Sequence, residues 1–147
     1  MISGRLEMNK RIVACEVEIE VPFFDVDLME IVWHGHYVKY FEVARCALLD
    51  KIGYNYLQMR ASGYSWPVID LRIRYAQPAK FGQKIIVQAN IGEWENRLKI
   101  NYSIVDKLTG TRLTRGYTYQ VAVDMATNEM CFESPSILWE KLGLQNP

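Results

Sequence analysis

Two aspartates and two histidines lie in one short segment of the chain, 23–37. The aspartates are Asp25 and Asp27, and the histidines are His34 and His36. A carboxylate attacks a carbonyl carbon or activates a water molecule, and an imidazole with a pKa of about 6.5 exchanges protons near neutral pH. These residue types therefore favour hydrolysis of an activated acyl group.

A helix predicted over 36–52 begins directly after this segment. Its first N–H groups lack partners within the helix and carry a partial positive charge, so they polarise a carbonyl oxygen or stabilise an oxyanion. A thioester suits such a site, because its leaving thiol has a pKa of about 8.5 and departs with little protonation. We expect Asp27 to attack or to activate water, and the backbone amides around His34 to polarise the carbonyl. The His34 imidazole is expected to position the thioester or the water, or to help with a proton.

The predicted helix is apolar on almost every side. Charged side chains interrupt it only at Lys39, Glu42 and Arg45, which fall on one narrow face, and Gly53 is a plausible stop. A helix this apolar is expected to be buried. Its apolar positions are Tyr37, Tyr40, Phe41, Val43, Ala44, Ala47, Leu48 and Leu49.

Five segments alternate apolar with other side chains at the period of a half-buried strand. They are 11–21, 68–76, 85–91, 98–104 and 117–123, and a short terminal helix is predicted over 135–142 with Ser134 as its cap and Pro135 at its first position. One helix followed by strands joined by short turns predicts an α+β fold with an antiparallel sheet. A curved sheet wrapped around one central helix satisfies this order, which is the hotdog arrangement.

Length and composition exclude several classes of protein. The chain of 147 residues, 1–147, is interpreted as one domain, and its 17 basic and 17 acidic residues leave no basic face for nucleic acid. It has no apolar run typical of a signal peptide or a membrane span, so we expect a cytoplasmic protein. Cys15, Cys46 and Cys131 have no metal-ligand spacing and are expected to be reduced, mostly buried thiols.

The segment resembles the signature of the 4-hydroxybenzoyl-CoA thioesterase family, especially the branch of small bacterial acyl-CoA thioesterases associated with the Tol–Pal system. The likeness extends weakly through Tyr75, Pro78 and the 81–82 pair to the last strand. It identifies the family well and the acyl group hardly at all. The matching residues are Asp25, Asp27, Ile31, Val32, Trp33, His34, Tyr37, Tyr40, Phe41, Glu42, Ala44 and Arg45.

The resemblance implies a thioesterase with its active sites at a dimer interface, commonly within a tetramer. Asp27 takes the place of the family's catalytic carboxylate, as nucleophile or general base, and His34 takes the place at the helix start where a backbone N–H polarises the carbonyl. Val32, Trp33 and Tyr37 are expected to contact the substrate, which is an acyl-CoA or an acyl-carrier-protein thioester. No metal or other cofactor is implied, since coenzyme A or phosphopantetheine arrives as part of the substrate.

Three positions depart from the family pattern. Glu30 replaces a glycine or another small residue, and it either alters substrate choice or points away as a surface residue. Phe23 replaces a tyrosine, so any role of that hydroxyl is lost, and His36 replaces an asparagine.

Several of these residues also have an ordinary structural interpretation. Asp25 is expected to be structural, and Asp27 would be read as a helix cap without the family motif. Glu42 competes as a catalytic acid on the helix, although an ion pair with Arg45 or Lys39 is the preferred interpretation. Arg72 and Arg74 are assigned to a solvated face in preference to a coenzyme A phosphate site.

Two other functions stay open at this point. One is a hotdog dehydratase that acts on 3-hydroxyacyl thioesters, whose usual histidine and acid arrangement is not visible. The other is a non-catalytic module that binds acyl thioesters, which Glu30 and Phe23 keep open.

Overall fold

A computed structural model describes residues 13–145 of the chain. The predicted start of the first strand at residue 11 lies outside the described residues. A five-stranded antiparallel sheet has the order β1-β4-β5-β6-β3, and a small three-stranded sheet has the order β2-β7-β8. The strands are β1 Ala14–Glu20, β2 Tyr64–Ser65, β3 Val68–Tyr75, β4 Lys84–Glu93, β5 Leu98–Asp106, β6 Arg112–Gln120, β7 Val123–Asp124 and β8 Glu129–Met130.

The helices follow the predicted order with one addition. The central helix α1 covers Tyr37–Lys51, and a 3₁₀ turn at His34–His36 leads into it. Its end agrees with the predicted stop, since Gly53 has a φ of 72°. The sequence did not predict α2, Tyr56–Ala61, which Asn55 begins with a capping box. The terminal helix α3 covers Ser136–Lys141.

The main sheet encloses one side of α1, which confirms the predicted α+β, hotdog-like architecture. The Phe41 ring stacks on Tyr102 of β5 with centroids 4.4 Å apart. Beside them, a Cβ added to Gly116 of β6 would lie 2.8 Å from the Phe41 ring and 2.2 Å from the Arg72 carbonyl oxygen. The glycine therefore lets α1 and two strands come together.

Four local expectations are wrong. The helix α1 is not buried all round, because Val38 and Val43 are exposed, and the cysteines are not mostly buried, because Cys46 is exposed and the other two are half-buried. Ser134 does not cap α3, whose N-cap residue is Pro135. On β6 the buried side chains are Leu113 and three polar ones, Thr114, Thr118 and Gln120, whereas Tyr117 and Tyr119 are only partly buried.

The strand β3 leaves its apolar side chains exposed. It lies at one edge of the sheet, and Ile69 and Leu71 are 54% and 40% exposed. Its alternating pattern predicted a half-buried strand. No described residue of the same chain pairs with its outer edge, and Ile69 and Leu71 stay exposed there. No helix among the described residues is long and apolar enough to cross a membrane.

We expect Gly116→Ala to lower the free energy of unfolding by about 2–3 kcal/mol, because the new methyl group overpacks against Phe41 and a backbone carbonyl. Denaturant unfolding followed by circular dichroism measures the change. Gly92→Ala is the control, since its Cβ would meet the amide end of the Asn101 side chain, which is able to move. An equal loss in both variants would contradict the proposed close approach at Gly116.

Candidate functional site

The segment that carries Asp27 forms a narrow loop with fixed ends. Val26 and Val32 form an isolated antiparallel bridge, the Asp27 N–H donates to the Ile31 carbonyl at 2.9 Å, and the Glu30 N–H donates to the Asp27 carbonyl at 2.9 Å. The loop is therefore closed by its own backbone, and Asp27 lies at its first corner.

A second segment, 79–81, holds this loop against the sheet. The Val32 N–H donates to the Ala79 carbonyl at 2.9 Å, and the Phe81 N–H donates to the Glu30 carbonyl at 3.1 Å. The same Ala79 donates its N–H to the Tyr37 hydroxyl at 3.0 Å. Loop and helix start are thus tied to one stretch of backbone.

The Asp27 carboxylate is exposed, and one of its two oxygens accepts a hydrogen bond. Its Oδ1 accepts a hydrogen bond from the Met29 N–H at 2.8 Å, and within the described residues none reaches Oδ2. Asp27 does not cap α1, so the expected cap is wrong, and its side chain instead accepts a hydrogen bond within its own loop. It lines a surface hollow of about 550 Å³ together with Phe23, Phe24, Val26, Leu28, Glu30 and Phe81.

The structure explains why a small residue suits position 30. Glu30 has a φ of 63°, in the left-handed region where glycine is least strained. Its backbone closes the loop, and its exposed side chain lines the same hollow as Asp27. This second carboxylate adds negative charge where the sequence indicated a departure.

Two backbone donors are free at the start of the helix. The Trp33 N–H donates to the Asp25 carbonyl and the His36 N–H donates to the Trp33 carbonyl, but no acceptor among residues 13–145 faces the N–H groups of His34 and Gly35. The His34 carbonyl accepts from the Tyr75 hydroxyl at 2.7 Å, which fixes the turn. These donors form the kind of site that accepts a carbonyl oxygen.

Aromatic rings surround these donors. The Trp33 ring lies 4.8 Å from the His34 ring and 5.3 Å from the His36 ring, measured between centroids. A Cβ at Gly35 would lie 2.2 Å from the Trp33 ring, so a larger residue there would displace the ring. Trp33 and His34 are exposed, whereas Val32 and Tyr37 are buried, and contact of any of them with substrate stays a prediction.

Asp25 has a structural environment quite unlike that of Asp27. It is buried, its Oδ1 forms an ion pair with Lys39, and its Oδ2 accepts from the Tyr40 hydroxyl at 2.7 Å. Burial raises the pKa of Asp25, but the hydrogen bonds and charge of its partners outweigh this effect and hold the pKa below its usual value. The same contact and burial raise the pKa of Tyr40. The sequence indicated a structural role for Asp25 without naming these partners.

The remaining candidates lie apart from one another. No hydrogen bond joins Asp27 to His34 within the described chain. Glu42 pairs with Arg45, as the preferred interpretation had it. Arg72 and Arg74 are exposed and line a groove with Arg112 and Arg115 on the far side of the sheet. Among the described residues, no group of His, Cys, Asp or Glu is arranged to hold a metal ion.

Comparisons with known proteins identify the family of this chain. The family model described as the thioesterase-like superfamily matches residues 21–139. The Bacillus subtilis protein named "Putative acyl-CoA thioesterase YneP" is 36% identical over 77 residues, 52% of this chain and 56% of that protein, so the matched part spans about half its length. The Synechocystis protein sll0410 is 29% identical over 128 residues, 86% of this chain and 77% of that protein.

A solved structure gives the same result at the level of the fold. The DHNA-CoA thioesterase of Staphylococcus aureus superimposes with a TM-score of 0.73 and 28% identity, covering 81% of this chain and 80% of that chain. The predicted family is therefore confirmed.

We expect Asp25→Asn to lower the free energy of unfolding at pH 7 by about 1–2 kcal/mol, a modest figure because Lys39 is half exposed and solvent screens its charge. The lowered pKa of Asp25 means that its contribution is complete above the ordinary carboxyl value of about 3.9 and is lost as the pH falls below it. Unfolding titrations between pH 7 and pH 3 measure the difference from wild type, which should shrink towards the acid end.

The exposed carboxylate of Asp70 provides the control. Asp70→Asn should follow the wild type at every pH. A difference for Asp25→Asn that stays constant down to pH 3 would refute the role of its charge.

Proposed function

We propose that this chain, which belongs to the thioesterase-like superfamily, hydrolyses an acyl-CoA or acyl-carrier-protein thioester to a free acid and a thiol. The observation that supports this most directly is the pairing of two features on one rigid scaffold. One is the exposed Asp27 carboxylate, and the other is the pair of free N–H groups at the start of α1.

The reaction needs a polarised carbonyl and an activated nucleophile. We place the thioester oxygen at the N–H groups of His34 and Gly35, where developing negative charge is stabilised. Asp27 either takes a proton from an attacking water or attacks the carbonyl carbon itself, in which case water then cleaves the resulting anhydride. In both routes the C–S bond breaks, the thiolate leaves and takes up a proton, and one water is consumed. No resident cofactor is needed, since coenzyme A comes with the substrate.

The hydrogen bonding of the Asp27 carboxylate fits either route. Its Oδ1 is held by the Met29 N–H, which orients the carboxylate, and its Oδ2 is left to accept a proton or to attack. Asp25 does not compete for this role, because both of its oxygens are occupied by Lys39 and Tyr40.

The exposed edge of β3 supports assembly with a second copy. Leu71 lies on the same side of β3 as Ile73, which packs against the core, yet Leu71 remains largely exposed. An exposed apolar edge strand is an adhesive surface unless something pairs with it. Antiparallel pairing of two β3 edges around a twofold axis would cover it and form one continuous sheet.

This pairing would also join parts of the two copies. In an antiparallel pair centred on Leu71, Val68 of one copy lies opposite Arg74 of the other, next to Tyr75. Because Tyr75 holds the His34 carbonyl, the start of β3 in one copy would adjoin the helix start of the other. We propose that the working enzyme is such a dimer or a tetramer built from it.

Asp27→Asn should reduce kcat on a good acyl-CoA substrate by about 100-fold or more, because the amide neither accepts the proton nor attacks. The amide oxygen still accepts from the Met29 N–H, so circular dichroism and the unfolding midpoint should not change. Thiol release with a colorimetric reagent measures turnover across short, long and aromatic acyl-CoAs and acyl-carrier proteins. Glu140→Gln, a carboxyl-to-amide change on the exposed side of α3, is the control. Near wild-type turnover by Asp27→Asn would contradict the assignment of Asp27 as the catalytic carboxylate.

Leu71→Lys should convert the assembly to monomers and lower thiol release at least tenfold. The reason is that the lysine of one copy would lie opposite the same lysine of the other copy and repel it. Light scattering coupled to size exclusion measures the molar mass. Leu108→Lys makes the same change at an exposed turn and should alter neither mass nor activity. A wild-type protein that is monomeric at assay concentration would rule out the proposed assembly.

A further inference from the structure

The side chain of Glu30 lies in the hollow beside Asp27 and brings a second carboxylate to it. Both side chains are exposed, and no ion pair within residues 13–145 includes either of them. Lys39, the nearest basic residue along the chain after this loop, is already paired with Asp25. The rest of the hollow is apolar and is formed by Phe23, Phe24, Val26, Leu28 and Phe81. The hollow therefore combines apolar walls with two negative charges that no ion pair of the described chain neutralises.

The backbone fixes Glu30 next to Asp27. The Glu30 N–H donates to the Asp27 carbonyl at 2.9 Å, and the Glu30 carbonyl accepts from the Phe81 N–H at 3.1 Å. Glu30 has a φ of 63°, a left-handed conformation in which glycine is less strained than a residue with a side chain. Strained residues of this kind persist where the surrounding structure holds them, and they cluster at functional sites. A role for the side chain accounts for a glutamate at a position that glycine would occupy with less strain.

A charge on the acyl group would come close to Glu30 during the proposed reaction. The carbonyl carbon of the thioester has to meet the Asp27 carboxylate, so the first carbons of the acyl chain lie at the same hollow. This brings the far carboxylate of a short dicarboxylic acyl group within the screening length of about 8 Å at physiological ionic strength. Like charges at that separation repel, and apolar walls weaken the screening by water. The phosphates of coenzyme A lie beyond this length, at the far end of the pantetheine arm.

We propose that Glu30 is a specificity-determining residue that excludes acyl groups with an anionic substituent near the thioester. The inference rests on the proposed hydrolysis, because that reaction brings the acyl group to Asp27. Asp27 adds to the repulsion, but its carboxylate takes part in the reaction, whereas Glu30 acts through its charge alone. The substrate class is an acyl group whose first few carbons carry no charge or a positive charge.

Binding of three coenzyme A thioethers whose chains differ in terminal charge tests the exclusion without turnover. S-(4-carboxybutyl)-CoA ends in an anion, its methyl ester ends in a neutral group, and S-(5-aminopentyl)-CoA ends in a cation. Isothermal titration of the wild-type protein at low ionic strength should rank the affinities in the order cationic, neutral, anionic. Glu30→Gln should narrow the gap between the neutral and the anionic ligand about threefold to tenfold. Free coenzyme A should bind both proteins equally.

Three further variants separate the charge of Glu30 from its place in the backbone. Glu30→Asp retains the charge and should keep the wild-type ranking. Glu30→Gly relieves the strain, so it should raise the unfolding midpoint and narrow the same gap as Glu30→Gln. Glu140→Gln removes an exposed carboxylate from α3 and should change neither the ranking nor the midpoint. A gap that Glu30→Gln leaves unchanged, or that Glu140→Gln narrows equally, overturns the proposal.

Thiol release from glutaryl-CoA and from its methyl ester distinguishes a failure of this proposal from a failure of the proposed function. Hydrolysis of the methyl ester, with a ratio of the two kcat/KM values that Glu30→Gln leaves unchanged, overturns the role of Glu30 and supports the thioesterase. Charge-ranked binding that Glu30→Gln removes, without hydrolysis of any acyl-CoA tested, supports the role of Glu30 and overturns the thioesterase.

Discussion

The geometry of the site depends on one peptide segment, the backbone of Ala79. Its carbonyl accepts the Val32 N–H from the loop, and its N–H donates to the Tyr37 hydroxyl at the start of α1. Ala79 is fully buried, so water does not compete for either hydrogen bond. Because Val32 ends the loop that Asp27 begins, this single segment sets the carboxylate relative to the first free N–H groups of the helix.

Two carboxylates in the same loop serve different purposes because their surroundings differ. Asp25 is buried, and the cost of burial is offset by Lys39 and Tyr40. Both partners come from the first turn of α1, so this cluster fastens the loop to the helix a second time. Asp27, two residues later, points to solvent with one oxygen unoccupied. The proposed hydrolysis needs the free carboxylate of Asp27, and the paired carboxylate of Asp25 fastens the loop that carries it.

The sequence predicted the elements well because their signals are local. Alternation in 68–76, 85–91 and 98–104 and the broad apolar stripe of 36–52 each needed only neighbouring residues, and these three strands and α1 agree within two positions. The predicted strand 117–123 is wrong at both ends, since β6 begins at Arg112 and ends at Gln120. The sequence predicted less well where burial depends on distant partners. The side of β6 that carries Gly116 is polar at Thr114, Thr118 and Gln120, which are buried, and no apolar alternation in the sequence indicated this face. The helix α2 is too short to show a period.

The family was predictable for the same reason and with the same limit, whereas the roles of Asp27 and His34 stay predictions. The spacing from Asp27 to His34 carried the family motif, and the chemistry of a thioester followed from the residue types. The motif also indicated that position 30 prefers a small residue, but only the φ of Glu30 shows why. The structure also contains an apolar cavity whose wall is formed by α1, α2 and the start of β3 together. No pattern within a single segment predicted it.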